Sequence, residues 1–154
     1  MFKFGPNLIP ETQIFYKSTY CFGLVNLKPI VAGHVLVVSK RLVTRFNDLT
    51  AEEAVDMMLS TKKISAIIEK QYQGSSLTFA MQDGPEAGQT VPHVHMHIIP
   101  RRKGDYANND DIYEDLDQRN KHKKGPDNEE RTPRSAAEMK EEADFLRVFF
   151  NNDE

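Results

Sequence analysis

The sequence predicts an α+β domain: an antiparallel sheet of about five strands with helices inserted between and after them. Three observations predict it. Five short apolar or aromatic runs are bounded by Pro, Gly, Ser or Asn. One long stretch after Thr50 repeats its apolar residues at three- and four-residue steps, and a second does so after Ser135. At 154 residues the chain is long enough for one domain with a substantial core, so 1–154 is read as a single unit.

The elements follow in order. Ile14 to Lys17, Cys21 to Val25 and Val35 to Val38 read as strands; Lys28-Pro29 separates the second from the third, and Gly33-His34 opens the third. Thr50-Ala51-Glu52-Glu53 fits a capping box, in which hydroxyl and carboxylate satisfy free amides at a helix start. Ala54, Met58, Thr61, Ile64 and Ile68 then give that helix a stripe to bury, and Gly74 stops it. Leu77 to Gln82 and Val94 to Pro100 are further strands, joined by the loop Asp83 to Pro92. From Asp105 to Arg134 charged and amide residues dominate. The polar segment around 117–134, above all Lys121 to Arg131, has too little apolar surface to offset its ordering entropy and is expected to be mobile. Ser135-Ala136-Ala137-Glu138 is a second capping box, and Met139, Ala143, Leu146 and Phe150 form the stripe of a last helix. No internal repeat is visible.

A net charge of −3 argues against a nucleic-acid backbone as partner, which calls for a basic surface. The lone Cys21 allows no intramolecular disulfide. The opening Met-Phe-Lys-Phe-Gly-Pro lacks a signal-peptide core, and no run is long enough to span a membrane. A soluble protein of the cytoplasm, or of cytoplasm and nucleus, is expected.

The most informative segment is His93-Val94-His95-Met96-His97, directly after Gly88-Gln89-Thr90-Val91-Pro92. As a strand, it sends the three imidazoles to one face about 6.6 Å apart, with Val94, Met96 and Ile98 entering a core. Gly88 can adopt angles closed to other residues, and free amides in such a turn form a concavity for anions. Gln89 and Thr90 add side-chain donors, and Pro92 pins the strand entry. Taken alone, the loop is equally well a plain β-turn with a surface Gln. The histidines have three readings. They are a solvated polar face, or a zinc site completed by His34 or Asp83. Alternatively, a neutral imidazole attacks phosphorus and its labile phosphoramidate is hydrolysed in a second step. Spacing does not separate the last two.

The string Gly88 to His97 resembles the signature of the histidine triad (HIT) superfamily. The longer strings Ser76-Leu77-Thr78-Phe79 and Met81 to Thr90 are similar to its Fhit branch, the bis(5'-adenosyl)-triphosphatases. So are Leu24-Val25-Asn26, Lys28-Pro29, Gly33 to Val37, Arg101, Gly104-Asp105, Ile112-Tyr113-Glu114 and Leu146-Arg147-Val148. The resemblance implies a HIT-like fold with a long central helix and a C-terminal helix, assembled as a homodimer. It implies hydrolysis of diadenosine triphosphate, or a related dinucleoside polyphosphate, to AMP and ADP. On that pattern His95 attacks the α-phosphorus and forms an adenylyl-histidine, while His93 orients it. His97, Gln89 and Thr90 contact phosphate oxygens and the leaving group, and Asn26 and Gln82 hold ribose and phosphate. Gly88 and Val91 shape the phosphate loop, and His34 lies near the nucleoside. A magnesium or manganese ion is carried through the substrate phosphates, with no tightly bound zinc, no nucleic acid and no membrane. Tyr113 matches a tyrosine linked to phosphorylation. Three features depart from the pattern: Asn7 stands where a histidine is expected near the nucleoside, Pro92 replaces an often basic residue, and Lys121 to Arg131 is longer and more polar. A Hint-type adenosine phosphoramidase and a nucleotide-binding signalling protein remain the alternatives.

Overall fold

The computed structural model describes residues 2–117 and 132–150, so the expectation for Lys121 to Arg131 falls outside the described residues. Strands β1 (Phe2–Phe4) and β2 (Asn7–Ile9) form an antiparallel ribbon. The main sheet contains β3 (Ile14–Lys17), β4 (Cys21–Val25), β5 (Val35–Ser39), β6 (Ser76–Ala80) and β7 (His95–Arg101). Its order is β3-β4-β5-β7-β6, antiparallel throughout, with β3 and β6 at the edges. Helix α1 (Ala51–Gln71) connects β5 to β6, a short α2 (Ile112–Leu116) follows β7, and α3 (Ala136–Arg147) comes last.

Both faces of this sheet are covered, which is why β4 and β5 are buried along their whole length. On one face Val35, Val37, Met96 and Ile98 pack against Met57, Ile64 and Ile68 of α1 and Met139, Ala143 and Leu146 of α3. On the other, Phe22, Leu24, Leu36 and Val38 meet Phe2, Phe4 and Ile9 of the ribbon. The register pairs His95 with Val38, and His97 with both Leu36 and Ala80. His95 and His97 therefore share the ribbon-covered face, while Met96 and Ile98 enter the core beneath α1.

Both capping boxes form, at Thr50–Glu53 and Ser135–Glu138. The expected α1 stripe is out of phase at its start: Met58 is 54% exposed, and Glu53, Met57, Ser60, Thr61, Ile64, Ser65 and Ile68 are the buried positions. Two serines, Ser60 and Ser65, lie on this face, so apolar spacing alone could not choose between Met57 and Met58. The helix stop also differs. Gln73, not Gly74, takes the left-handed conformation, at φ 58°. The Gly74 amide donates to Glu69 O and the Gln73 amide to Lys70 O, closing a Schellman turn. Gln73→Gly is accordingly expected to raise stability by about 1 kcal/mol, read as a higher denaturant midpoint at unchanged slope.

Glu53 serves more than its cap. Arg41 Nε and Nη2 donate to its carboxylate at 3.0 and 2.7 Å, and they hold its pKa down at about 2. A carboxyl whose folded pKa is depressed stabilises fully above its unfolded value, and the gain is lost as pH falls through the folded one. The unfolding midpoint should drop as pH is lowered from 4.5 towards 2, and Arg41→Met should flatten that part of the profile.

Candidate active site

His93 lies in the bend before β7 and is fully buried. Its Nε2–H donates to Ser39 O at 2.7 Å, since a carbonyl can only accept, and its Nδ1 accepts the Gly5 amide at 3.0 Å. Gly5 stands at φ 59°, and a Cβ there would lie 2.7 Å from Val91 Cγ1. Only glycine lets the ribbon turn approach this closely. Both ring nitrogens of His93 are thereby engaged, so the three imidazoles do not converge on one point.

His95 Nδ1 donates to the His93 carbonyl at 2.7 Å. In the neutral ring this leaves Nε2 as a bare lone pair. The Phe4 ring stands edge-on to His95, 4.8 Å between centroids at 87°. His97 Nδ1 lies 2.8 Å from His34 Nε2, and His34 Nδ1 accepts the Ile30 amide at 3.0 Å. His97 Nε2 is buried and has no hydrogen-bond partner among the described residues. The His95 and His97 rings are 5.1 Å apart. Burial pushes the pKa of all three triad histidines below the ordinary imidazole value, His97 furthest, with His34 and His95 beside it adding to the effect.

The loop between β6 and β7 is closed by its own groups. Gly84 N donates to Gln89 Oε1 at 2.7 Å, and Gln89 Nε2 donates to Thr44 O at 2.8 Å. The amides of Ala87 and Gln89 bond Gly84 O, and that of Gly88, at φ 93°, bonds Pro85 O. The expected row of free amides is therefore occupied from residue 87 to 89. Arg45 clips the loop from outside through Asp83, at 3.1 Å. Thr90 is exposed and Val91 half-buried against Gly5.

Asn26 is half-buried, with its amide 3.2 and 3.3 Å from the two ring nitrogens of His34. Gln82 reaches Leu116 O at 3.4 Å and lines a cavity of about 480 Å³ with Phe79, Ala80, Met81, Tyr113 and Asp117. Ala80, the register partner of His97, joins this cavity to the triad strand. Asn7 is exposed on β2, paired with Phe4. Tyr113 is 55% exposed. The sequence reading missed Phe4, Gly5, Ile30 and Ser39. Phe4-Gly5-Pro6 carried a turn signal, but nothing local tied Gly5 to a histidine 88 positions away.

Comparison with known proteins places this geometry. The model of the HIT domain family matches residues 9–104. The bis(5'-adenosyl)-triphosphatase of Dictyostelium discoideum is 49% identical over 147 residues, which cover 96% of this chain and 91% of that one. The crystal structure of the Plasmodium falciparum diadenosine triphosphate hydrolase in complex with cyclomarin A superposes with a TM-score of 0.78. It is 30% identical, covering 99% of this chain and 85% of that one. The C. elegans NitFhit protein gives a TM-score of 0.77 at 40% identity over 97% of this chain, which spans only 30% of that longer chain.

Proposed function

The chain belongs to the HIT domain family, and from that premise we propose that it hydrolyses dinucleoside polyphosphates, cleaving diadenosine triphosphate to AMP and ADP through a covalent nucleotidyl-histidine. The observation that carries this reading is the His95 tautomer. A proton held on Nδ1 by the His93 carbonyl leaves Nε2 as a neutral nucleophile. Nε2 forms a bond to the α-phosphorus as the bridging P–O bond breaks and ADP departs. Water then attacks the same phosphorus, the N–P bond breaks, AMP leaves and the free imidazole is restored. His97 Nε2 is the nearby buried polar atom available to the departing oxygen, where negative charge develops. Asn26, Gln82, Thr90, Val91 and His34 border the volume in which ribose and phosphates would lie, and Gln89 and Gly88 hold the loop in shape.

No group of three or more His, Cys, Asp or Glu side chains among the described residues is placed to hold a metal ion. A magnesium or manganese ion is proposed to be held by the substrate's own phosphate oxygens, where it would neutralise charge. Homodimerisation finds support in the β6 edge, which has one strand neighbour among the described residues, and in Val55, Met58 and Leu59, which are 58, 54 and 61% exposed on α1. Light scattering after gel filtration would test it.

The decisive experiment incubates purified protein with diadenosine triphosphate made chiral at the α-phosphorus with sulfur and oxygen isotopes. Two in-line displacements give net retention in the AMP thio-analogue, and inversion would eliminate the covalent intermediate. Faster turnover of an adenosine phosphoramidate than of diadenosine triphosphate would instead favour a Hint-type enzyme. Because burial lowers the His95 pKa, the nucleophile stays neutral below the ordinary imidazole range. The acid limb of kcat/KM should therefore fall below about pH 6.5.

A further inference from the structure

We infer that Arg134 is a positioning residue for the ribose of the bound nucleotide: its guanidinium holds the main chain of Asn26 and so sets where that side chain is presented. The inference rests on the hydrolase reading for the role of Asn26, and on geometry alone for the tie.

Arg134 stands 108 positions from Asn26, just before the Ser135 cap of α3, and its side chain is largely buried. Nε donates to the Asn26 carbonyl at 3.0 Å, and Nη2 donates to the same oxygen. The Arg134 main-chain amide donates to the next carbonyl, that of Leu27, at 2.9 Å. Two successive carbonyls just after β4 are therefore held by one residue. The turn they belong to sets the Asn26 side chain, because its Oδ1 accepts the Lys28 amide at 3.2 Å. The carboxamide is thus folded onto the very main chain that Arg134 holds. Its oxygen has a second lone pair, which a ribose hydroxyl can use.

Arg134 is itself held. Nη2 also donates to Glu142 Oε1 at 2.8 Å, and Glu142 Oε2 accepts the Tyr72 hydroxyl at 2.5 Å. Burial, with Glu142 beside it, pushes the Tyr72 pKa up, so the hydroxyl stays a donor. The Tyr72 ring lies against Gly33, where a Cβ would come within 2.6 Å of its Cγ. Asn26 and Gly33 stand at opposite ends of the connection from β4 to β5, and one carboxylate on α3 ties both. A planar guanidinium can serve a carbonyl and a carboxylate together, which a single ammonium cannot do in the same geometry. The helix does not need this tie to dock. Met139, Ala143 and Leu146 already enter the core, and Arg147 Nη2 donates to the Ile14 carbonyl at 2.8 Å. What Arg134 adds is control of the turn that carries Asn26.

The test compares diadenosine triphosphate with its 2',3'-dideoxy analogue, which keeps the bases and phosphates. Arg134→Met should raise KM on diadenosine triphosphate about tenfold, the worth of one misplaced hydrogen bond. Because that contact is made equally in ground and transition states, kcat should stay within about twofold. KM on the dideoxy analogue should not move. In an Asn26→Ala background the Arg134 substitution should have no further effect on KM, since both act through one contact. An unchanged KM, an equal rise on both substrates, or additive effects of the two substitutions would mean that Arg134 only braces α3. If Arg134→Met fails to fold, Glu142→Gln, which loosens the guanidinium, carries the same comparison and should show a smaller rise confined to the hydroxylated substrate. A wild type that cleaves neither dinucleotide would remove the hydrolase reading. Calorimetry with AMP and 2',3'-dideoxy-AMP then decides the inference by itself: Arg134→Met must weaken only AMP, and a wild type that binds neither would overturn it.

Discussion

Replacement of His95 by Asn is expected to lower kcat on diadenosine triphosphate by on the order of 10⁴ or more, as losing a nucleophile does. Stability should change by only about 1 kcal/mol, because among the described residues the ring makes one hydrogen bond and edge contacts with Phe4 and His97. Substrate affinity should be largely kept, since the groups bordering the phosphate and ribose volume lie on other side chains. A discontinuous assay of AMP release, run beside an unfolding curve, separates these effects. If the variant kept even a tenth of wild-type turnover, water would be attacking directly and the covalent route would be wrong.

The parts of the fold legible in the sequence are those written locally. Both capping boxes sit within four residues, and the alternation through Val94, Met96 and Ile98 names a core face whatever packs on it. The α1 stripe was legible from Thr61 onwards but not at its start, because Ser60 is buried with Met57 on that face and carries no apolar signal. The site divides in the same way. The alternating histidines and their loop were visible, as was the resemblance they carry. The groups that assign each ring its proton were not. His93 is held by Gly5, 88 positions away, and by Ser39, 54 away; His97 meets His34 from 63 away. A sequence inventory also counts donors without saying where they are spent. Gln89 was read as a phosphate donor, and nothing local showed that its amide also bridges Gly84 and Thr44.

His93→Ala should reverse the balance seen at His95, with a large loss of stability and a smaller loss of chemistry per folded molecule. The His93 ring joins the Gly5 amide of the ribbon turn to the Ser39 carbonyl at the end of β5, and both bonds are buried. Truncation leaves one donor and one acceptor without partners, at about 1–3 kcal/mol each, and opens a cavity beneath Phe4. A total of about 3–5 kcal/mol is expected, less whatever a water entering the space recovers. The group that orients His95 is the His93 main-chain carbonyl, which survives the substitution. Well below its lowered unfolding midpoint, the variant should therefore lose far less turnover than His95→Asn. His93→Gln should be intermediate in stability, since its amide can satisfy one of the two orphaned groups. An Ala variant that unfolds at the wild-type midpoint yet is as inactive as His95→Asn would show that the ring takes part in the reaction itself, and that its role as a tie between ribbon and sheet had been misjudged.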